Sequence, residues 1–454
     1  MKIKIFFDWN FVSKYLPCQR IVRYRGINNP VKDHEVIMKK GFLLILLLGG
    51  LLWAQEYNLE DMIQLGLKNS ITIKTKAIQT DNAKSSLRSA YYDMLPEADV
   101  SLSSSTSKGD ITSKSGRLSI YKSLSLNEPT VFNLKQSMYD NTAAKLSFEQ
   151  ARKQYIYDVL AAYLDVLSAT KEVGIQQANS ALQERVYTDT KIQYQQGRKS
   201  SFDLNQADIN RINSKITLQN AENNLSNSRQ TLFTMLLAKD EGYALSEPDL
   251  ALPEVDTLNS SAAPLSSDIN PLMIRMQEIQ LKQDRLSLSQ QKINFLPTLT
   301  AAYSYDAASI QNKPFDFSAY EDSYTISLTA SYSLWNLFRH GEDYHRYNNS
   351  VKLAELELQD QKVQLNADYD KIMRNLKYVN SAYHLQLRKK EQAAENLRIA
   401  EEKYRLGLIS LLDLDQAQVD DLNAKLAANS DYYTLLKTKE QLNLLLSKNI
   451  LGKW

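Results

Sequence analysis

Cysteine is nearly missing from this 454-residue chain, which has one, Cys18. It precedes the secretory signal read below, so the exported chain holds no thiol for a disulfide, a redox pair or a metal site. Glycine and proline are also scarce, at 13 and 10. A chain of many short elements needs more turn residues than that, so long uninterrupted helices are expected. The four histidines are His34, His340, His345 and His384, and neither a glycine-rich phosphate loop nor an H-E-x-x-H pair occurs. His340 and His345 flank Glu342 and Asp343 in RHGEDYH, a donor set that a divalent metal accepts. The stretch also falls at a strand-to-helix corner, where polar residues are expected without a metal. We therefore assign the chain no catalytic residue, cofactor or metal.

The apolar run from Phe42 to Leu52 is well short of the roughly 20 residues a membrane-spanning helix needs. Met38, Lys39 and Lys40 precede it and Trp53-Ala54 lead into polar Gln55-Glu56, the order of a secretory signal peptide. Residues 38–54 are expected to be that signal and residues 1–37 an upstream mis-start. No Cys follows the apolar run, so lipid attachment is not expected. Without residues 1–54 the chain loses 9 of its 54 Lys/Arg and 3 of its 52 Asp/Glu, leaving 45 basic against 49 acidic residues, net −4. That balance gives no reason to expect a nucleic-acid partner.

What is present is a duplication. A fourteen-residue pattern runs Tyr194, Gly197, Ser200, Asp203, Leu204, Gln206, Ala207, and recurs 210 residues later as Tyr404, Gly407, Ser410, Asp413, Leu414, Gln416, Ala417. In each copy a Gly leaves the helical region without a Cβ clash, and a Ser starts a new helix as its N-cap. Each is a helix-to-helix reversal. Asn69-Ser70-Ile71 pairs with Asn270-Pro271-Leu272 and Leu95-Pro96 with Leu296-Pro297, both at an offset of 201. Phe132-Asn133-Leu134 pairs with Trp335-Asn336-Leu337 at 203. The further step of seven, to 210, is one heptad, which a coiled-coil helix accepts without rotating its buried stripe. The expected organisation is a first repeat over 55–238, a Pro-, Ser- and acid-rich linker over 239–270, and a second repeat over 271–454.

Each repeat reads as short helix, two strands, long helix, Gly turn, short helix. Phe148, Tyr155, Val159, Ala162, Val166, Ala169 and Val173 fall at the 3,4 spacing of a coiled-coil seam. Between Leu-Pro and the long helix, the chain from Tyr324 alternates: Tyr324, Ile326, Leu328, Ala330, Tyr332 and Leu334 against Thr325, Ser327, Thr329, Ser331 and Ser333. Leu299, Ala301, Tyr303 and Tyr305 offer a partner strand. An apolar face with tyrosines near its ends, opposite a small polar face, suits a lipid-facing, water-lined barrel strand. The first repeat is weaker, with Ala98, Val100 and Leu102 followed by Leu118, Ile120, Leu124 and Leu126, and Lys122 falls on the apolar face. A soluble sandwich edge packed on helices is the alternative for the strands alone. An open four-stranded sheet leaves unpaired backbone in hydrocarbon, so it must close with copies of itself, as 8 strands from two chains or 12 from three.

Together the signal peptide, the duplicated halves, Asn-Pro-x-Leu and Leu-Pro before the strands, the aromatic-Asn-Leu step after them, and the paired Y-x-x-G-x-x-S-x-x-D-L hairpins make this chain resemble the TolC family of outer-membrane efflux proteins. The resemblance covers residues 55–447. It implies a homotrimer in the outer membrane of a Gram-negative bacterium, with a 12-stranded barrel and a periplasmic α-helical tunnel about 100 Å long. It implies an exit duct for efflux or type I secretion, with a periplasmic adaptor and an inner-membrane transporter as partners and outer-membrane lipid around the barrel. Adaptor docking then falls on Tyr194, Gly197, Arg198, Lys199 and Ser200 and on Tyr404, Gly407, Leu408, Ile409 and Ser410. A carboxylate constriction falls on Asp413, with Gln416 standing where a second carboxylate is expected. The lipid-facing set is Tyr303, Tyr305, Tyr324, Ile326, Leu328, Tyr332 and Leu334. Asp413 as a helix N-terminal charge, and the Gly and Ser as plain turn and cap, explain the same residues without function. A secreted coiled-coil scaffold without a pore explains the helices but not the alternating strands.

Overall fold

The structure is a computed structural model that describes residues 58–450 apart from 108–110, 126–128, 249, 251, 253–270, 310–313 and 317–319. The signal segment 38–54, the extension 1–37, Leu126 and most of the linker lie outside the described residues. Helices α1 (Leu59–Asn69) and α2 (Ile71–Tyr92) lead into strands β1 (Glu97–Ser107) and β2 (Ile111–Ser125), then α3 (Pro129–Gln195) and α4 (Ser201–Leu236). The second repeat gives α5 (Leu272–Ile293), β3 (Thr298–Ser309), β4 (Tyr320–Ser331), α6 (Asn336–Arg405) and α7 (Leu411–Leu445). The fold is mainly helical with a small β part, and the internal duplication holds element for element from α2 onward, α1 having no counterpart among the described residues of the second repeat.

At 67 and 70 residues, α3 and α6 are each about 100 Å long. The shorter helices stack end to end beside them. In the first repeat Asn69 Nδ2 donates to Leu236 O at 3.3 Å, joining α4 to α1. In the second, Leu272 N donates to Ser447 Oγ at 3.0 Å, joining the end of α7 to α5. The short helix expected before β1 is two helices, split at Ser70, whose Oγ accepts from Ile73 N at 3.4 Å as the N-cap of α2. α3 packs against α4 on one flank and against α5 and α7 on the other, and α6 packs against α5 and α7. The helices therefore form one layer whose order across is α2/α4, α3, α5/α7, α6.

The densest core lies where α1 folds onto that layer. Met62 and Ile63 of α1, Ile156, Leu160 and Tyr163 of α3, Leu232 and Leu236 of α4, and Tyr433 and Leu436 of α7 are buried together. Val159, Ala162, Val166, Ala169 and Val173 of the expected seam are all buried. The described start of the linker straps across this core. Arg229 makes a bidentate pair with Asp240 at 2.6 and 2.7 Å. Tyr163 donates from its hydroxyl to Ser246 O at 2.6 Å, and Glu247 pairs with Lys171 and accepts from the Tyr433 hydroxyl at 3.2 Å. Burial pushes the Tyr433 hydroxyl up to about 12, so it remains a donor throughout the physiological range.

The strands form one antiparallel sheet in the order β1-β2-β3-β4. Its register aligns the apolar positions of both repeats. Ala98 faces Ile120, Ile120 faces Tyr305, and Tyr305 faces Tyr324. One residue pair along, Lys122 faces Tyr303 and Tyr303 faces Ile326. Because side chains alternate between faces, these residues with Val100, Leu102, Leu118, Leu124, Ala301 and Leu328 share one side of the sheet. Lys122 does stand on that side, but its Nζ reaches off the sheet to donate to Asp93 O at the end of α2, at 2.8 Å. The ammonium thus leaves the apolar face at its helical end. On the other face Arg117 binds Asp306 at 2.6 and 2.9 Å. Far from the helices, the Tyr320 hydroxyl donates to Pro314 O at 2.7 Å and lies over Gly116, where a Cβ would stand 2.0 Å from it.

Candidate functional site: the helical tip and the sheet face

Both hairpins form as expected, and by the same atoms. Gly197 and Gly407 each have φ 72°, a backbone region that costs a side-chain-bearing residue. Around each Gly the chain closes a Schellman turn, with Arg198 N to Gln193 O at 2.9 Å and Leu408 N to Lys403 O at 2.8 Å. Ser200 and Ser410 then start α4 and α7 with complete capping boxes. Asp203 N donates to Ser200 Oγ at 3.1 Å while Ser200 N donates back to Asp203 Oδ2 at 3.0 Å. Asp413 and Ser410 repeat this at 3.2 and 3.1 Å. The pattern shared by the two repeats thus encodes a Gly turn followed by a reciprocal cap.

The cap accounts for Asp413 in a way that a constriction does not require. Its Oδ2 accepts from Ser410 N and Oγ, and these bonds hold its carboxyl below the usual range. Asp203, in the other repeat, is lowered for the same reason, first by the Ser200 backbone. A carboxylate lowered on folding stabilises the helix start above its unfolded pKa, and that contribution disappears as pH falls through the lower, folded value. The first turns of α4 and α7 are therefore expected to loosen together in the window below the ordinary aspartate value of 3.8. Asp413→Ala should show several-fold faster amide exchange over Leu411–Leu414 already at neutral pH. Exchange there equal to the parent's would remove the capping role.

The structure brings the two hairpins into contact through Tyr404 and Lys199, which were expected at the tip from the sequence, and through Thr190, Gln183, Asn210 and Gln418, which were not. Tyr404 OH lies 3.5 Å from Thr190 Oγ1, and Lys199 Nζ sits 4.6 Å over the Tyr404 ring. Asn210 donates to Asp415 at 2.9 Å, and the buried Gln183 donates to Gln418 at 2.9 Å. Burial pushes the Asp415 carboxyl up, with the Asn210 bond opposing it. Nearer the core, Val166 of α3 and Leu436 of α7 are buried in one cluster, beside the Asn429–Ser168 and Lys437–Asp165 bonds that also join these two helices. Toward the tip, Gln183–Gln418 joins α3 to α7, Asn210–Asp415 joins α4 to α7 and Thr190–Tyr404 joins α3 to α6, and the sequence sign of these bonds is that the positions are polar where a seam would carry Leu or Val.

Of the residues expected at the tip, Tyr194, Gly197, Arg198, Ser200, Gly407, Leu408 and Ser410 are exposed, while Lys199, Tyr404 and Ile409 are half-buried. Asp413, Gln416 and Asp420 lie along one exposed side of α7, where Gln416 donates to Asp420 at 3.1 Å. In the sheet, Tyr324, Ile326 and Leu328 are 73, 75 and 72 % exposed, which no soluble sandwich edge packed on helices would leave. Tyr303 shares that face, with Tyr305 half-buried beside it. Tyr332 and Leu334 fall past the end of β4, in the corner before α6, because the chain turns there to enter the helix; both are exposed. His340 and His345 also lie past that corner, at the start of α6, where the His340 ring packs edge-on to Phe295. Among the described residues no cluster of three or more His, Cys, Asp or Glu could hold a metal.

The sequence profile of the family described as Outer membrane efflux protein matches residues 62–236 and 269–448, one match for each repeat. None of the curated proteins matches the chain in sequence. Among solved structures, the Campylobacter jejuni CmeC outer membrane channel is similar at 17 % identity and a TM-score of 0.71, covering 95 % of both chains. The Vibrio cholerae outer membrane protein VceC is similar at 14 % identity and a TM-score of 0.72, covering 86 % of this chain and 96 % of that one. The open-state Neisseria gonorrhoeae MtrE outer membrane channel is similar at 16 % identity and a TM-score of 0.71, covering 86 % and 89 %. At these identities the likeness is one of fold.

Proposed function

From a chain that belongs to the outer membrane efflux protein family, we propose an exit duct: three copies close into a 12-stranded outer-membrane barrel continuous with a helical tunnel into the periplasm. The observation that carries this is the matched incompleteness of both layers. The sheet ends in β1 and β4, each paired on one side only among the described residues, and open edges in hydrocarbon must find partners. The helical layer ends in α2/α4 on one side and α6 on the other, and both flanks present apolar stripes. Phe202, Ile209, Ile212 and Ile216 line α4, while Tyr378, Leu385, Ile399 and Leu406 line α6, all exposed. Ile71 and Ile78 continue the first stripe on α2; Leu353, Leu356 and Val363 continue the second. Two unlike, complementary edges make a head-to-tail ring.

The apolar sheet face meets lipid and the Ser- and Thr-rich face lines the pore. From Tyr324 to Leu334 the apolar positions of β4 and its corner rise about 25 Å at a barrel tilt near 40°, the height of such a band. The exposed tip residues of the two hairpins dock a periplasmic adaptor, through which an inner-membrane transporter feeds the duct. Asp413, Gln416 and Asp420 face the aperture. The hydrogen bonds that join the two hairpins at the tip, Gln183–Gln418, Asn210–Asp415 and Thr190–Tyr404, let the α6–α7 hairpin part from α3–α4 there while the apolar core above stays closed. A scaffold without a pore has no use for the exposed apolar sheet face.

Single-channel recording of purified trimers in a planar bilayer tests this. The parent should give discrete, cation-selective openings, and Asp413→Ala/Asp420→Ala should keep the openings and lose much of the selectivity. Folded trimers that never conduct, even after Gln183→Ala/Tyr404→Phe loosens the tip, would defeat the duct reading.

A further inference from the structure

Just past the barrel the surface changes character twice. First comes an apolar collar at the strand-to-helix corners: Trp335 and Phe338 are 85 and 78 % exposed, and Tyr92, Leu95, Leu296 and Leu334 are exposed with them. Large aromatic rings left in this position mark the boundary between hydrocarbon and headgroups. Beyond the collar, α3 and α5 flank a shallow, open groove of about 480 Å³ lined by Lys135, Met138, Lys282, Arg285, Leu286 and Ser289. Lys135 lies in the second turn of α3, about 9 Å from its start, and Ser289 in the last turn of α5. The groove thus begins one to two turns below the collar, at headgroup depth.

Its charge is one-sided and open. Arg285 is paired with Glu355 of α6 at 2.8 Å. Nearby Asp140 accepts from Gln136 and Gln283. Lys135 and Lys282 have no hydrogen-bond or ion-pair partner among the described residues. Two unpaired ammonium groups over a floor that includes Met138 and Leu286 complement a phosphate diester with an acyl chain beside it, since a lysine stem packs on apolar surface while its head keeps to the polar side.

We propose that this groove binds the headgroup of an anionic phospholipid of the membrane leaflet facing the helices, pinning the depth of the duct in the bilayer. The proposal rests on the reading of the sheet as a membrane barrel. Its test is native mass spectrometry of intact trimers in detergent micelles, titrated with phosphatidylglycerol or phosphatidylcholine. The parent should retain phosphatidylglycerol about tenfold better, with the preference falling as salt rises. Lys135→Gln/Lys282→Gln should abolish the preference, whereas the control Lys352→Gln should keep it. Equal retention of the two lipids, or a preference unchanged in the double variant, overturns the proposal. So does displacement by millimolar inorganic phosphate, which would mark a site for free anions. Altered ion selectivity in the double variant with lipid retention intact also overturns it, by placing the lysines on the lumen. Protein that enters neither micelles nor vesicles sinks the barrel reading as well, while inserted trimers without lipid preference sink this proposal alone.

Discussion

Ile209→Glu is expected to abolish the detergent-resistant trimer while leaving the helices of each chain formed. Ile209 is half-exposed, at 50 %, so a single chain tolerates the charge. In the proposed ring the same side chain would meet α6 of the next copy: on the helix rise Ile209 stands about 13 Å from the tip and Ile399 about 10 Å. Burying an unpaired carboxylate there costs several kcal/mol after relaxation. Ring symmetry repeats the cost at every interface, so the assembly loses far more than any one chain does. Analytical ultracentrifugation in detergent should show monomers for Ile209→Glu and for Ile399→Glu. Combining Ile209→Glu with Ile399→Lys should recover part of the trimer. An intact trimer in both single variants would place these stripes against something other than a copy of the chain.

Tyr163→Ala is expected to give the largest loss of stability within one chain, about 3–5 kcal/mol. Its ring is fully buried in the main core, against which α1 and the C-terminal end of α4 pack, and its hydroxyl holds the strap through Ser246 O. Truncation removes both the ring and one of the strap's anchors. Tyr163→Phe keeps the ring and leaves the Ser246 carbonyl without that donor, a cost of about 1–2 kcal/mol. The two should therefore separate cleanly in the thermal melting of the helical circular-dichroism signal. Protease cleavage within 239–248 should rise in both variants. Melting of Tyr163→Ala within the spread of surface variants such as Lys352→Gln would show that the core sits elsewhere.

Much of this architecture was legible from the residues. A Gly that leaves the helix, a Ser that starts the next one and an Asp three residues on are local chemistry, so the hairpins at Gly197 and Gly407 could be read directly. The strict alternation from Tyr324 was legible for the same reason: a strand has a period of two whatever it packs against. Boundaries were less so. Tyr332 and Leu334 continue the alternation past the point where β4 ends, because the corner into α6 is set by how the sheet meets the helices and not by the pattern. The break at Ser70 was visible as a landmark paired with Pro271, but that it splits two helices depends on α1 bending onto α3 and α4.

Local chemistry, then, determined the elements, the duplication, the reversals and the two-faced strands, since each depends on residues within a few positions of one another. Tertiary structure decided what lies between elements far apart in the chain. It aligned the apolar faces of the two repeats into one sheet, took Lys122 off that face to Asp93, and tied the linker down through Arg229 and Tyr163. It also showed that Asp413 serves a cap already written in the sequence, while Thr190, Asn210 and Gln183 join the hairpins across more than 200 residues. Such contacts need a register between distant helices, and no single helix carries that information.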